Sequence, residues 1–65
     1  MVLTVNGERQ DVEAGNVAAL LETLGYEGGF FAVAVNQDVV RRANWAETQL
    51  AEGDSVEILT PRQGG

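Results

Sequence analysis

Apolar residues recur along this chain with two different periods. At 1–6 they alternate, with Leu3 and Val5 on one face and Val2 and Thr4 on the other, which predicts a β-strand. Asn6-Gly7 follows, a pair that tolerates positive φ at both positions and so favours a tight hairpin turn. The return at 9–12 is shorter and more polar, as suits a sheet edge. The period then changes. Val17, Leu20, Leu21 and Leu24 fall at i, i+3, i+4 and i+7 and predict a helix with one apolar stripe. Ala18, Ala19 and Glu22 add helix propensity, Asn16 is placed to cap the N-terminus, and Gly25 stands where a left-handed C-terminal cap is wanted.

Beyond the helix, Tyr26-Glu27-Gly28-Gly29 predicts a loop, and 30–36 reads as a strand with Val33 and Val35 inward and Ala32 and Ala34 outward. Asn36-Gln37-Asp38 turns the chain into a short strand at 39–42. The segment 44–50 lacks clear periodicity and predicts a turn, or one helical turn, that lays the Trp45 indole over one end of the core. Glu52-Gly53-Asp54 is a tight turn before a last strand at 55–60, with Val56 and Ile58 inward and Glu57 and Leu59 outward. Pro61, which cannot donate a ladder hydrogen bond, ends that strand.

The order is strand, strand, helix, strand, short strand, strand. One helix must bury its stripe on one face of a mixed sheet, and two hairpins joined by a single crossing helix make an α+β, β-grasp arrangement of about five strands. In that arrangement the first and last strands lie side by side and parallel at the sheet centre. The expected organisation is a domain over 1–60 and a flexible tail over 61–65. The outward sheet face then carries Val2, Thr4, Ala32, Ala34, Glu57 and Leu59, a small apolar patch with acid beside it that suits a protein interface.

Composition narrows what such a body can do. Sixty-five residues allow one thin core and no deep pocket. The chain has no Cys, no His and no Lys, so it has no thiolate or imidazole for zinc or for catalysis, no Schiff-base amine, and no side-chain amine on which it could itself be conjugated. No metal site is expected, and an independent enzyme is not expected. A formal charge of −6 and a pI near 4.2 oppose binding to nucleic acid or to an anionic membrane. They suit a basic protein partner, or solubility alone. No charged and then apolar leader opens the chain, and its longest apolar run, 30–35, is far too short to span a membrane. A cytoplasmic protein, monomeric when free, is expected.

What remains for chemistry is ten carboxylates, four arginines, hydroxyls and the two termini. Gly64-Gly65 presents a backbone carboxylate with no side chain near it, so a partner's narrow channel can approach closely. Arg62 is placed to pair with a carboxylate lining such a channel, or is a solvated tail charge.

Thr4-Val5-Asn6-Gly7-Glu8, the helix at 17–24, Val35-Asn36-Gln37-Asp38-Val39-Val40-Arg41-Arg42, Trp45, Thr48, Leu50, Glu52-Gly53-Asp54, Val56-Glu57-Ile58 and Gly64-Gly65 together resemble the thiamine-biosynthesis sulfur carrier family, ThiS. The resemblance covers essentially the whole chain and implies a ubiquitin-like β-grasp. It implies that the Gly65 carboxylate is adenylated, at the expense of MgATP, by a ThiF-like activating enzyme. The carboxylate would then become a thiocarboxylate, with sulfur from a donor system such as a cysteine desulfurase, and be used by a ThiG-like thiazole synthase. By the resemblance Gly65 would bear the sulfur and Gly64 give it an unhindered approach; from the residues themselves, Gln63 and Arg62 of the tail and Leu59, Glu57, Val2, Ala32 and Ala34 of the outward face are expected to meet the partner along with Gly64. Two departures from the family pattern are local: Pro61 replaces an extended, often aliphatic residue, and Asn16 replaces a threonine cap in a connector one residue short.

Other readings of the same residues are a molybdopterin-synthase small subunit, which shares fold and terminus, ubiquitin-like conjugation to target lysines, and a plain β-grasp interaction module with an incidental Gly-Gly end. Hydrolysis by paired carboxylates is the weakest, because so small a domain lacks a cleft in which two carboxylates could be tuned apart.

Overall fold

The computed structural model of the chain describes residues 1–26 and 31–60. Five strands form one mixed sheet: β1 (Val2–Val5), β2 (Glu8–Asp11), β3 (Ala32–Val35), β4 (Asp38–Val40) and β5 (Ser55–Leu59). Helix α1 (Val17–Leu24) and a 3₁₀ helix (Arg42–Glu47) pack on one side. The spatial order is β2-β1-β5-β3-β4, with β1 parallel to β5 and every other pair antiparallel. The arrangement is the one expected from the two periods.

Each hairpin turns on two residues. Asn6 and Gly7 have φ of 51° and 86°, and Asn36 and Gln37 have φ of 51° and 75°. Both central positions of such a turn need positive φ, which asparagine tolerates better than most residues. The second turn is therefore one residue shorter than the expected Asn36-Gln37-Asp38, and Asp38 already pairs with Val35 at the start of β4. The return strand stops at Val40 rather than at 42, because Arg42 opens the 3₁₀ helix.

Alternation sorts the strands as expected. Leu3, Val5, Val33, Val56 and Ile58 are buried against Val17, Leu20 and Leu21 of α1, and Leu24 is half-buried. Eight residues of isolated helix are unstable in water, so α1 depends on that packing and on its caps. Asn16 Oδ1 accepts the Ala19 amide at 2.8 Å, and Gly25 closes the helix at φ 86°. Backbone bonds from Val17 N to Thr48 O and from Leu50 N to Gly15 O, each 3.0 Å, tie the helix start to the loop before β5.

Trp45 is buried within the 3₁₀ helix, stacks on Phe31 at 5.1 Å and 10°, and donates Nε1–H to the Val40 carbonyl at 3.0 Å. It is a core residue that closes one end of the helix–sheet interface. Replacing Asn16 by Ala is expected to cost about 1 kcal/mol through the lost cap, and Asp is expected to restore it. Urea unfolding of the two variants measures this, and equal midpoints for Ala and wild type would refute the cap's contribution.

Candidate functional site

Among the described residues no helix packs on the face of the sheet opposite α1, and its composition is set by the positions that alternation turns away from the core. Register decides which of them meet. Ala32 lies opposite Leu59, Ala34 opposite Glu57, and Ala34 also opposite Val39. The row across β4, β3 and β5 is thus Val39, Ala34, Glu57, and the next row toward the end of β5 contains Ala32 and Leu59. Val39 is 77% exposed and Leu59 65%, unusual for large aliphatic side chains. The Glu57 carboxylate interrupts this apolar surface beside Ala34. A complementary surface needs an apolar contact area and one cation placed for Glu57.

Of the sequence-predicted interface residues, Leu59, Glu57, Ala32 and Ala34 come together. Val2 does not join them. It occupies the same face but at the far end of β1, where its carbonyl accepts from Gly53 N at 2.8 Å and its amide donates to Glu52 Oε2 at 2.8 Å. Gly53 and Leu59 are six residue steps apart in the chain, about 20 Å if the segment is extended at ~3.3 Å per residue. Thr4 lies between them, opposite Ser55. Arg62, Gln63, Gly64 and Gly65, with Pro61, lie outside the described residues, as do Glu27, Gly28 and Gly29 of the expected loop and Phe30.

Val39 is the exposed residue of this face that sequence reasoning did not single out. The signal was present in the length of the turn. A two-residue loop at Asn36-Gln37 places 34 opposite 39 and turns Val39 outward with Ala34, whereas a three-residue loop leaves its face undetermined.

A groove of about 510 Å³ runs between α1 and the 3₁₀ helix. Its walls include Ala18, Tyr26, Phe31 and Trp45, with Glu22 and Arg42 among its polar residues. The Arg42 guanidinium carbon sits 5.4 Å from the Trp45 ring, a cation–π distance. Among the described residues its lining has no Ser, Thr, Cys, His or Lys. Among the described residues no group of three or more His, Cys, Asp or Glu is placed to hold a metal ion, and no helix is long and apolar enough to cross a membrane.

The ThiS family model matches residues 3–65. The chain is 35% identical to a thiazole synthase from Paramagnetospirillum magneticum (strain ATCC 700264 / AMB-1) over 66 residues, covering all of this chain and 20% of that protein. It therefore spans one-fifth of the length of that curated relative. A crystal structure of a thiamine biosynthesis protein, ThiS, from Geobacter metallireducens superposes with a TM-score of 0.84 at 35% identity, with full coverage of both chains. A solution structure of a thiamine biosynthesis protein from the same organism gives 0.80 at 35% identity, covering 100% of this chain and 88% of that one.

Because the indole is enclosed, Trp45 fluorescence is expected to be blue-shifted and poorly quenched by iodide. Trp45→Phe removes the bond to Val40 O and part of the packing and is expected to cost about 1–3 kcal/mol in unfolding experiments. A solvent-like emission maximum would contradict the buried placement.

Proposed function

As the chain belongs to the ThiS family, we propose that it is a sulfur carrier in thiamine biosynthesis whose reactive group is the carboxylate of Gly65. The observation that carries this reading is the family match over 3–65; a chain with no Cys, His or Lys is consistent with a carrier whose chemistry a partner supplies. The carrier is a co-substrate and not an enzyme. A carboxylate is a poor acyl electrophile. In the proposed reaction one of its oxygens attacks the α-phosphorus of ATP on a partner adenylating enzyme, and pyrophosphate leaves. Sulfide (HS⁻), released from a donor persulfide such as that of a cysteine desulfurase when a thiol reductant cleaves the S–S bond and is itself oxidised to a disulfide, then attacks the acyl carbon, and AMP departs with the electron pair of the broken C–O bond. The thiocarboxylate so formed supplies sulfur to a thiazole synthase.

Phosphate chemistry falls to the partner, since the carrier has neither a glycine-rich phosphate loop nor a lysine. MgATP is therefore the partner's substrate. Gly64 and Gly65 let the backbone enter a narrow channel, and Arg62 and Gln63 supply polar contacts along it. The body is recognised through Leu59, Val39, Ala32 and Ala34, with Glu57 meeting a cation of the partner. Support for that division comes from the position of β5, which ends at Leu59 beside the apolar surface and leads directly into the tail.

Incubation with the adenylating enzyme, MgATP and a sulfur donor is expected to replace one terminal oxygen by sulfur in the intact mass, and deletion of Gly65 is expected to abolish the change. An unchanged mass of the wild type with an active partner would sink the proposal. Val39→Arg is expected to weaken binding to the adenylating enzyme by about tenfold while unfolding stability stays within about 0.5 kcal/mol. Titration calorimetry tests this, and unaltered affinity would remove Val39 from the interface.

A further inference from the structure

Strand β5 outruns its parallel neighbour. Pairing with β1 reaches Val5 opposite Val56, and Asn6 N still donates to Val56 O at 2.9 Å, but the chain of β1 then leaves through the Asn6-Gly7 turn. The next rung of a parallel ladder would run from the Ile58 amide to the main-chain carbonyl of Asn6. The Asn6 side chain takes that rung instead: Oδ1 accepts the Ile58 amide at 2.7 Å. On the other side β3 still pairs, Val33 with Ile58 and Ala32 with Leu59.

The opposite end of β5 is held by an equivalent residue. Asn36, at the same position of the second hairpin turn and with the same φ of 51°, accepts the Ser55 amide on Oδ1 at 3.0 Å and donates Nδ2–H to Asp54 at 3.1 Å. Two asparagines thus grip one strand, but only Asn6 grips it where the tail departs.

We propose that Asn6 is a positioning residue for the acyl terminus: by bonding the Ile58 amide it sets the direction in which the chain leaves the sheet. Its consequence for activation rests on the carrier reading above. Without that bond the last residues of β5 are fixed from the β3 side alone. Residues 60–65, extended into a partner's site, span about 20 Å, so a swing of about 10° at the root displaces their end by about 3 Å. Misplacement of that size is enough to slow a reaction between positioned groups.

Three variants test the assignment. Asn6→Gly keeps a turn that accepts positive φ and removes the acceptor. Asn6→Asp keeps an acceptor. Asn36→Gly removes the matching bond at the other end of β5 and controls for general destabilisation. Amide exchange at Ile58 is expected to accelerate about tenfold or more in Asn6→Gly and to stay near wild type in Asn6→Asp. With the adenylating enzyme, Asn6→Gly is expected to lower kcat about tenfold at a KM within about twofold, because the recognised face is intact. Asn6→Asp is expected to restore kcat, and Asn36→Gly to accelerate exchange at Ser55 while leaving kcat unchanged. Wild-type protection of Ile58 in Asn6→Gly, or a kcat loss in Asn36→Gly equal to that in Asn6→Gly, overturns the inference. If the wild type forms no adenylate at all, the carrier reading fails. Exchange at Ile58 and NMR order parameters at Leu59 and Thr60 then decide the positioning role alone, with unchanged values in Asn6→Gly refuting it.

Discussion

The pairing of β5 with both β1 and β3 is the constraint on which the described structure depends. Each of those neighbours belongs to a hairpin, and a two-stranded hairpin alone is marginally stable in water. Strand β5 bonds the two ribbons into one sheet wide enough to cover α1. It also supplies Val56 and Ile58 to the core. Because β1 and β5 are parallel, no short turn can join them, and the intervening residues must form the helix and second hairpin between them. Bringing residues 4–5 against 55–56 closes a loop of nearly the whole chain, so the hydrogen bonds at β5 have an unfavourable closure entropy to offset. The two asparagine side chains extend that bonding to Ser55 and Ile58, at places where ordinary ladder partners have turned away.

The same strand divides its side chains between the two faces of the sheet. Val56 and Ile58 point to the helix and are buried, while Glu57 and Leu59 point outward and are exposed. A surface that leaves Val39 and Leu59 in water carries a cost in solubility that strong negative charge offsets. In the carrier reading that cost has a purpose. A partner grips the apolar face, and the segment leaving β5 enters its active site. The chemistry then requires nothing of the carrier's side chains beyond fit and direction, consistent with a chain lacking Cys, His and Lys.

Much of this was legible from local pattern. The Val17, Leu20, Leu21 stripe, the Asn16 cap and the Gly25 terminator each act within a few residues of themselves, and α1 has the bounds they predict. Asn6-Gly7 likewise specifies its own turn. Less legible was the second hairpin, because Gln37 adopts φ 75° without glycine's freedom, and the extra residue assigned to that turn hid the outward orientation of Val39. An internal echo was available: Val5-Asn6-Gly7-Glu8 and Val35-Asn36-Gln37-Asp38 share a pattern, and they fold into the same kind of turn. The 3₁₀ helix had no periodic signal, since its stability comes from the contacts of Trp45 with Phe31 and the Val40 carbonyl.

By itself the sequence determined the helix, the two hairpins, the inward and outward sides of each strand, and the absence of thiol, imidazole and side-chain amine. Those properties depend on backbone preference, alternation and composition, all local or additive along the chain. Tertiary structure alone decided which outward residues are neighbours. It gathered Ala32, Ala34, Val39, Glu57 and Leu59, left Val2 at the other end of the face, and placed Asn6 against an amide 52 positions away in the chain. Register between distant strands depends on turn length and on side chains that complete a ladder, and neither has a period that a single strand displays.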